Sequence, residues 1–350
     1  FLDGARVGVW QIFGLDANLT SKGNYSNGKK DGEWQEFYPT GEVSERRIYA
    51  NGEKVGEWKS LAVDGSLEGL GEYVEGQQEG KWLSWHPNGQ VRLQMTYHLG
   101  KLEGESGGWR LDGQPQYAGQ YLAGARVGEW RSWHENGQLR QLETYVEGVR
   151  HGVFLTWHED GEKSSTGNYL MGTAVGAWSV WSNNGTKTSL ATYDDQGKRH
   201  GEHSAWSAQG QLLEHTEYKN GQPTGKLEKF SPTGNLLQSG SYVDGKKSGK
   251  WLDYHDNGQV KEQGAFKEGM QTGDWNLFFE NGALWMSGPY VRGERHGLWV
   301  TQYETGGKES SGSFSNGRRA GMWEFWSADG LPDTARSGEY DGFNKAEPPE

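Results

Sequence analysis

No cysteine occurs among the 350 residues, so neither a disulfide framework nor a thiolate nucleophile is open to this chain, and its redox compartment stays undetermined. Proline is scarce, at 9 residues. No stretch approaches the roughly 20 apolar residues that a membrane-spanning helix needs. Apolar residues make up only 33% of the chain, short of the aliphatic stock of a packed α/β enzyme. Basic residues are outnumbered 47 to 35, a net charge of −12, which disfavours nucleic-acid phosphates and anionic membranes as partners. Two residue classes are abundant instead. There are 56 glycines, and 18 Trp, 16 Tyr and 11 Phe. The glycines do not fall at every third position, which excludes collagen. So many aromatics exclude a solvated disordered chain. A β-rich repeat protein is left.

A period of 24 residues runs through the sequence. With position zero set at Trp10, the lattice continues through Trp34, Trp58, Trp82, Ser106, Trp130, Phe154 and Trp178. One extra residue near 194–196 shifts it, and it resumes at His203, Leu227, Trp251, Trp275, Trp299 and Trp323. Glycine stands two residues before position zero in all 14 repeats, and seven after it in 13, with Ala17 the exception. An aromatic stands at plus fifteen in 13 repeats, and a further glycine follows at about plus eighteen.

Each repeat reads as one β-hairpin. Its aromatic outgoing strand ends at turns such as Asn88-Gly89 and Asn136-Gly137, a pair suited to tight hairpin turns. The returning strand ends at the plus-fifteen aromatic, and a Gly-x-x-x-Gly loop leads to the next repeat. One hairpin cannot support itself, so the repeats must stack. The predicted fold is all-β: about fourteen consecutive hairpins forming one long twisted or curled antiparallel sheet over 1–342, followed by a disordered tail over 343–350. Phe1 aligns with a plus-fifteen aromatic, so the sequence opens in mid-hairpin, and residues upstream of Phe1 are expected.

The pattern Tyr25-Ser-Asn-Gly28-Lys-Lys-Asp-Gly32-Glu-Trp34-Gln-Glu-Phe37-Tyr-Pro-Thr-Gly41 resembles the MORN repeat, and within it the bacterial variant of YwqK-type antitoxins. The resemblance covers nearly the whole chain. It implies consecutive hairpins and a protein-binding role. In that family the partners are toxins, while other MORN proteins are scaffolds, dimerisation modules or proposed phosphoinositide binders. Ser106, His203 and Leu227 depart from the pattern at position zero, which marks their repeats as places for a bend or a contact site.

Chemical motifs are thin. Gly221-Gln-Pro-Thr-Gly225-Lys226 and Gly245-Lys-Lys-Ser-Gly249-Lys250 are one residue short of a phosphate loop, lack its Ser/Thr, and lie on lattice glycines. His200 and His203 have no third and fourth ligand in sequence to complete a zinc site. No carboxylate pair can be singled out as general acid and base. No enzyme, cofactor or metal is therefore expected.

The most informative local feature is a Trp-His step: Trp85-His86, Trp133-His134 and Trp157-His158, with Trp181 and Trp206 at the same plus-three position. Positions zero and plus three have opposite parity, so in a regular strand they face opposite sides of the sheet. Two readings follow. Either these eight residues form an aromatic surface that anchors a protein partner, or both rows pack. The function expected is a non-catalytic, toxin-neutralising antitoxin or immunity protein, whose acidic surface suits a basic partner. The alternative is a structural scaffold, an envelope or filament assembly component, or a membrane-associated MORN platform. Membrane lipid is disfavoured by charge, and a homo-oligomer stays open. So does the compartment: cytoplasm, or periplasm and cell envelope if a signal precedes Phe1.

Overall fold

The computed structural model describes residues 1–342, 344 and 345, and every regular element among them is a β-strand. Two compact units are present, Phe1–Thr173 and Ala174–Glu350. Each is a succession of antiparallel hairpins. The first runs Gly8–Phe13, Leu19–Ser26, Lys29–Phe37, Val43–Ala50 and onward in the same way to Lys163–Leu170. The second continues the repeat from Lys187–Tyr193 and Arg199–Trp206 to Gly338–Gly342 and Asn344–Lys345. Apart from those last two residues, the tail expected from 343 lies outside the described residues.

The tight turns are not where the sequence reading places them. Asn27 and Gly28 have φ of 48° and 78°, and Asn51 and Gly52 of 52° and 90°. Two successive left-handed residues make a two-residue type I′ turn, so the sharp reversal lies at plus seventeen and plus eighteen, where an open loop was expected. At Asn88-Gly89 only the glycine is left-handed, with φ of 82°. That turn is longer: the His86 N–H donates to Gln90 O at 2.8 Å and the Gly89 N–H to His86 O at 2.9 Å. The extra residue near 194–196 is absorbed when Asp194–Gly197 takes this longer form, with the Asp194 N–H donating to Lys198 O at 2.9 Å.

The glycine two before position zero serves a bulge. Asn24 pairs with Asp31 and Gly23 with Trp34, so Gly32 and Glu33 are extra on the longer strand. Gly32 has φ of 77°, and all 14 glycines of this row are left-handed. An L-residue there would carry strain, which is why the row has no exception.

Position zero is the core. Trp34, Trp251, Trp275, Trp299 and Trp323 are at most 3% exposed. Trp34 lies edge to face between the plus-fifteen aromatics Tyr25 and Tyr49, and in the second unit one unbroken ladder of the same kind runs from Tyr242 through Trp251, Phe266, Trp275, Tyr290, Trp299, Phe314 and Trp323 to Tyr340. Such contacts add about 0.5–1.5 kcal/mol each beyond buried area. Cations four residues before position zero cap the ladder: Lys30 Nζ lies 3.9 Å from the Trp34 ring centroid and 5.1 Å from that of Tyr49.

The indole needs room on the preceding strand. A Cβ on Gly23, Gly71, Gly119, Gly240, Gly264, Gly288 or Gly312 would stand within 2.1–2.3 Å of the ring of the following zero-position Trp. This plus-thirteen glycine accounts for the departures in the lattice. Met95 faces Ser106, Glu143 faces Phe154, and Ala191 faces His203. Thr216 holds the corresponding place before Leu227. When the partner has a side chain, the zero residue is smaller than Trp. Trp58 is the exception: Arg47 stands in the glycine's place, and the Trp58 ring instead stacks on Trp82 at 5.0 Å and donates its Nε1–H to Glu45.

Candidate functional site

Plus three lies just before the longer turn, where the register shifts between plus two and plus three, as between Ser132 and Trp133. Trp109 leans back over Gly107, two residues earlier on its own strand, with Cη2 2.8 Å from where a Gly107 Cβ would stand. The plus-three row therefore occupies the face opposite the buried ladder. Trp85, Trp133, Trp157, Trp181 and Trp206 are all half-buried. Trp85, Trp133 and Trp157 belong to the first unit, together with Trp109 at the same lattice position; Trp181 and Trp206 belong to the second. Neighbouring members of the row within a unit are two strands apart, about 10 Å. They form a spaced strip. Lys187 approaches the Trp181 ring, its Nζ 5.5 Å from the centroid.

The histidines of the Trp-His step have a structural task. His86 Nε2–H donates to Trp109 O at 2.9 Å, and His134 Nε2–H to Trp157 O at 2.8 Å. The same tie recurs from His255 to Phe278 O, from Tyr38 to Leu61 O and from Arg110 to Trp133 O. A long polar side chain at plus four thus staples one turn to the next repeat, and the turn asparagines add a second tie, Asn88 Nδ2 to Leu111 O at 2.6 Å. His, Tyr and Arg are interchangeable here because each reaches the carbonyl with one donor. His158 occupies the equivalent position one repeat on. Trp109 and Arg110 belong to the row and the staple as well, and their 24-residue spacing from Trp85 and Trp133 was the available signal for them.

His203 stands in the ladder, where burial lowers its pKa and its Nε2–H donates to Thr192 O at 3.1 Å. His200 and His203 form no common site, and among the described residues no group of three His, Asp or Glu is placed to hold a metal ion.

Five segments, 30–51, 78–98, 126–147, 199–220 and 247–268, match the MORN repeat variant. The chain therefore carries MORN-variant repeats, and the segments between them follow the same lattice. No curated protein matches it. Among solved structures it is similar to a chain of the TcdB2-TccC3-Cdc42 complex, at 10% identity and a TM-score of 0.17, covering 95% of this chain and 21% of that one. A chain of the Photorhabdus luminescens Tc holotoxin pore matches at 12% identity and a TM-score of 0.16, covering 91% and 23%. The chain spans about a fifth of the length of these solved chains.

Proposed function

We propose that this chain is a non-catalytic platform that binds a protein partner, and specifically that it neutralises a toxin as an antitoxin or immunity protein. The observation that carries the reading is the division of the aromatics into two rows. The zero row is consumed by the fold, buried edge to face under its cations. The plus-three tryptophans stay half-buried on the opposite face, as regularly spaced anchors of the residue type that dominates binding hot spots. The chain is acidic, with a net charge of −12, and Glu33 and Glu105 are exposed just before position zero on outgoing strands of the first unit, while Glu57 and Glu129 at the same place pair with Lys59 and Arg131, and Lys81 interrupts the series. An acidic surface favours a basic partner and speeds encounter. The MORN-variant repeats agree with a binding role and carry no catalytic motif.

The test is co-expression. A protein that co-purifies with this chain in fixed ratio should arrest growth when expressed alone and be harmless when the chain is expressed beside it. Growth that is unaffected by the co-purifying protein rejects the toxin and leaves a binding scaffold. Recovery of the chain alone, sedimenting as a multimer, rejects both forms of the partner reading in favour of self-assembly.

A further inference from the structure

The open face of the first unit carries, around Trp109, a feature that the spaced row of rings does not account for. Cross-strand neighbours share a face, and the row Gln94, Gly107, Ala118, Arg131 runs in register across four adjacent strands. Its two middle members are Gly and Ala, whereas the same row continues on the flanking strands as Leu83 on one side and Leu142 and Leu155 on the other. A depression of about 490 Å³ opens above them, within the usual range of ligand sites at roughly 300–1,000 Å³. The Trp109 ring forms one wall, over ground that only glycine at 107 leaves free. Gln120 and Glu105, paired across the strands, form another, and the ion pair of Arg131 with Glu129 borders the far side.

We propose that this depression binds a neutral saccharide, in which the Trp109 ring stacks on the apolar face of one sugar ring while Gln94, Gln120 and Glu105 take its hydroxyls. The chemistry of the lining favours this class. A carboxamide offers both donors and acceptors, as a sugar hydroxyl requires, and two carboxamides flank the single aromatic wall. Arg131 and Glu129 neutralise one another, so Glu105 is the one unpaired charge among the lining groups; that is too little to select a polycation and of the wrong sign for a phosphate or other anion. The apolar lining is limited to Trp109 and the methyl of Ala118, which gives no enclosed pocket for an aromatic or aliphatic anchor of a protein. Glu105, Gln120, Glu129 and Arg131 are exposed, so the site lies open along the sheet surface and suits a segment of an oligosaccharide. The proposal goes beyond the partner reading and does not rest on it.

The experiment is calorimetric titration of the full chain with cellohexaose, chitohexaose and maltohexaose, and with a deca-arginine peptide. At least one hexasaccharide should bind with a dissociation constant of millimolar or tighter. Trp109→Ala removes the stacking wall. Ala118→Leu fills the floor from a neighbouring strand. Gln94→Leu removes one amide at the surface without entering the buried ladder. Each should weaken sugar binding at least tenfold, and Gln94→Leu should do so with an unchanged melting curve, so a folding defect in the other two leaves the test intact. Absence of binding by all three sugars overturns the proposal, as does sugar binding that survives Gln94→Leu and Trp109→Ala. Binding of deca-arginine alone, lost in the same variants, overturns it in favour of a basic protein segment.

Discussion

Gly264 and Trp275 give the sharpest test of how the repeats hold together. A methyl group at Gly264 would stand 2.1 and 2.2 Å from two carbons of the Trp275 ring. Carbon atoms in contact normally keep about 3.5–4.0 Å, so the ring must retreat by more than an ångström or leave its slot. It has little room to retreat, since it is 2% exposed and lies edge-on between Phe266 at 5.2 Å and Tyr290 at 5.7 Å. Overpacking of this kind costs about 1–3 kcal/mol. Ejection approaches the roughly 3–5 kcal/mol of losing a buried Trp. Gly264→Ala is therefore expected to destabilise by about 2–4 kcal/mol in urea unfolding followed by circular dichroism. Gly307→Ala is the control: it has open space around it and no left-handed backbone, and should change stability by less than about 0.5 kcal/mol. Trp275→Leu combined with Gly264→Ala imitates the native Thr216 and Leu227 pair. The double variant should be at least about 1 kcal/mol more stable than the sum of the single effects. Strict additivity, or a Gly264→Ala effect no larger than that of Gly307→Ala, refutes the size-matching account.

Ala17 holds a left-handed φ of 62° where the 13 other repeats have glycine, so Ala17→Gly should raise the melting temperature, by an amount corresponding to about 0.5–1 kcal/mol. Burial, with the neighbouring Asp253 carboxylate as a further cause, holds the Glu262 carboxyl above the usual carboxylate range. The folded chain then keeps a proton that the unfolded chain releases, so this site's contribution is present below the ordinary carboxylate pKa and is lost as pH rises through the raised value. Glu262→Gln should accordingly melt higher than the parent at pH 7 and no higher near pH about 4. His134→Ala removes the staple to Trp157 O and should cost about 1 kcal/mol by urea unfolding, while Trp133→Ala should weaken partner capture more than it lowers the melting temperature.

The repeat, the hairpin and the aromatic rows were legible in the sequence because a 24-residue array repeats each physical requirement fourteen times. The invariant glycine before position zero could be seen without its reason, which is a bulge with left-handed backbone at Gly32 and its equivalents. Turn assignment went astray because Asn-Gly occurs at both ends of the hairpin, as Asn27-Gly28 and as Asn88-Gly89, and only the number of left-handed residues separates the two turn types. Ser106, His203 and Leu227 looked like irregularities when read along one strand. Across the strands they are half of a pair, and the missing half was the residue at plus thirteen. The histidines beside the tryptophans suggested a site on residue type alone, whereas Tyr38 and Arg110 in the same place reveal a hydrogen-bonding task that several side chains fulfil. The depression over Gly107 and Ala118 depends on which residues meet across four strands, and a linear repeat conceals that register.

The most direct test of the central claim, that one aromatic row builds the sheet and the other meets a partner, is a paired affinity capture from the source cells. The parent chain and a Trp133→Ala/Trp157→Ala variant, matched for melting temperature, would be compared by quantitative mass spectrometry. The account predicts one protein recovered in fixed ratio on the parent and depleted at least tenfold on the variant. Equal recovery on both, or loss of the partner only in step with loss of folding, would contradict it.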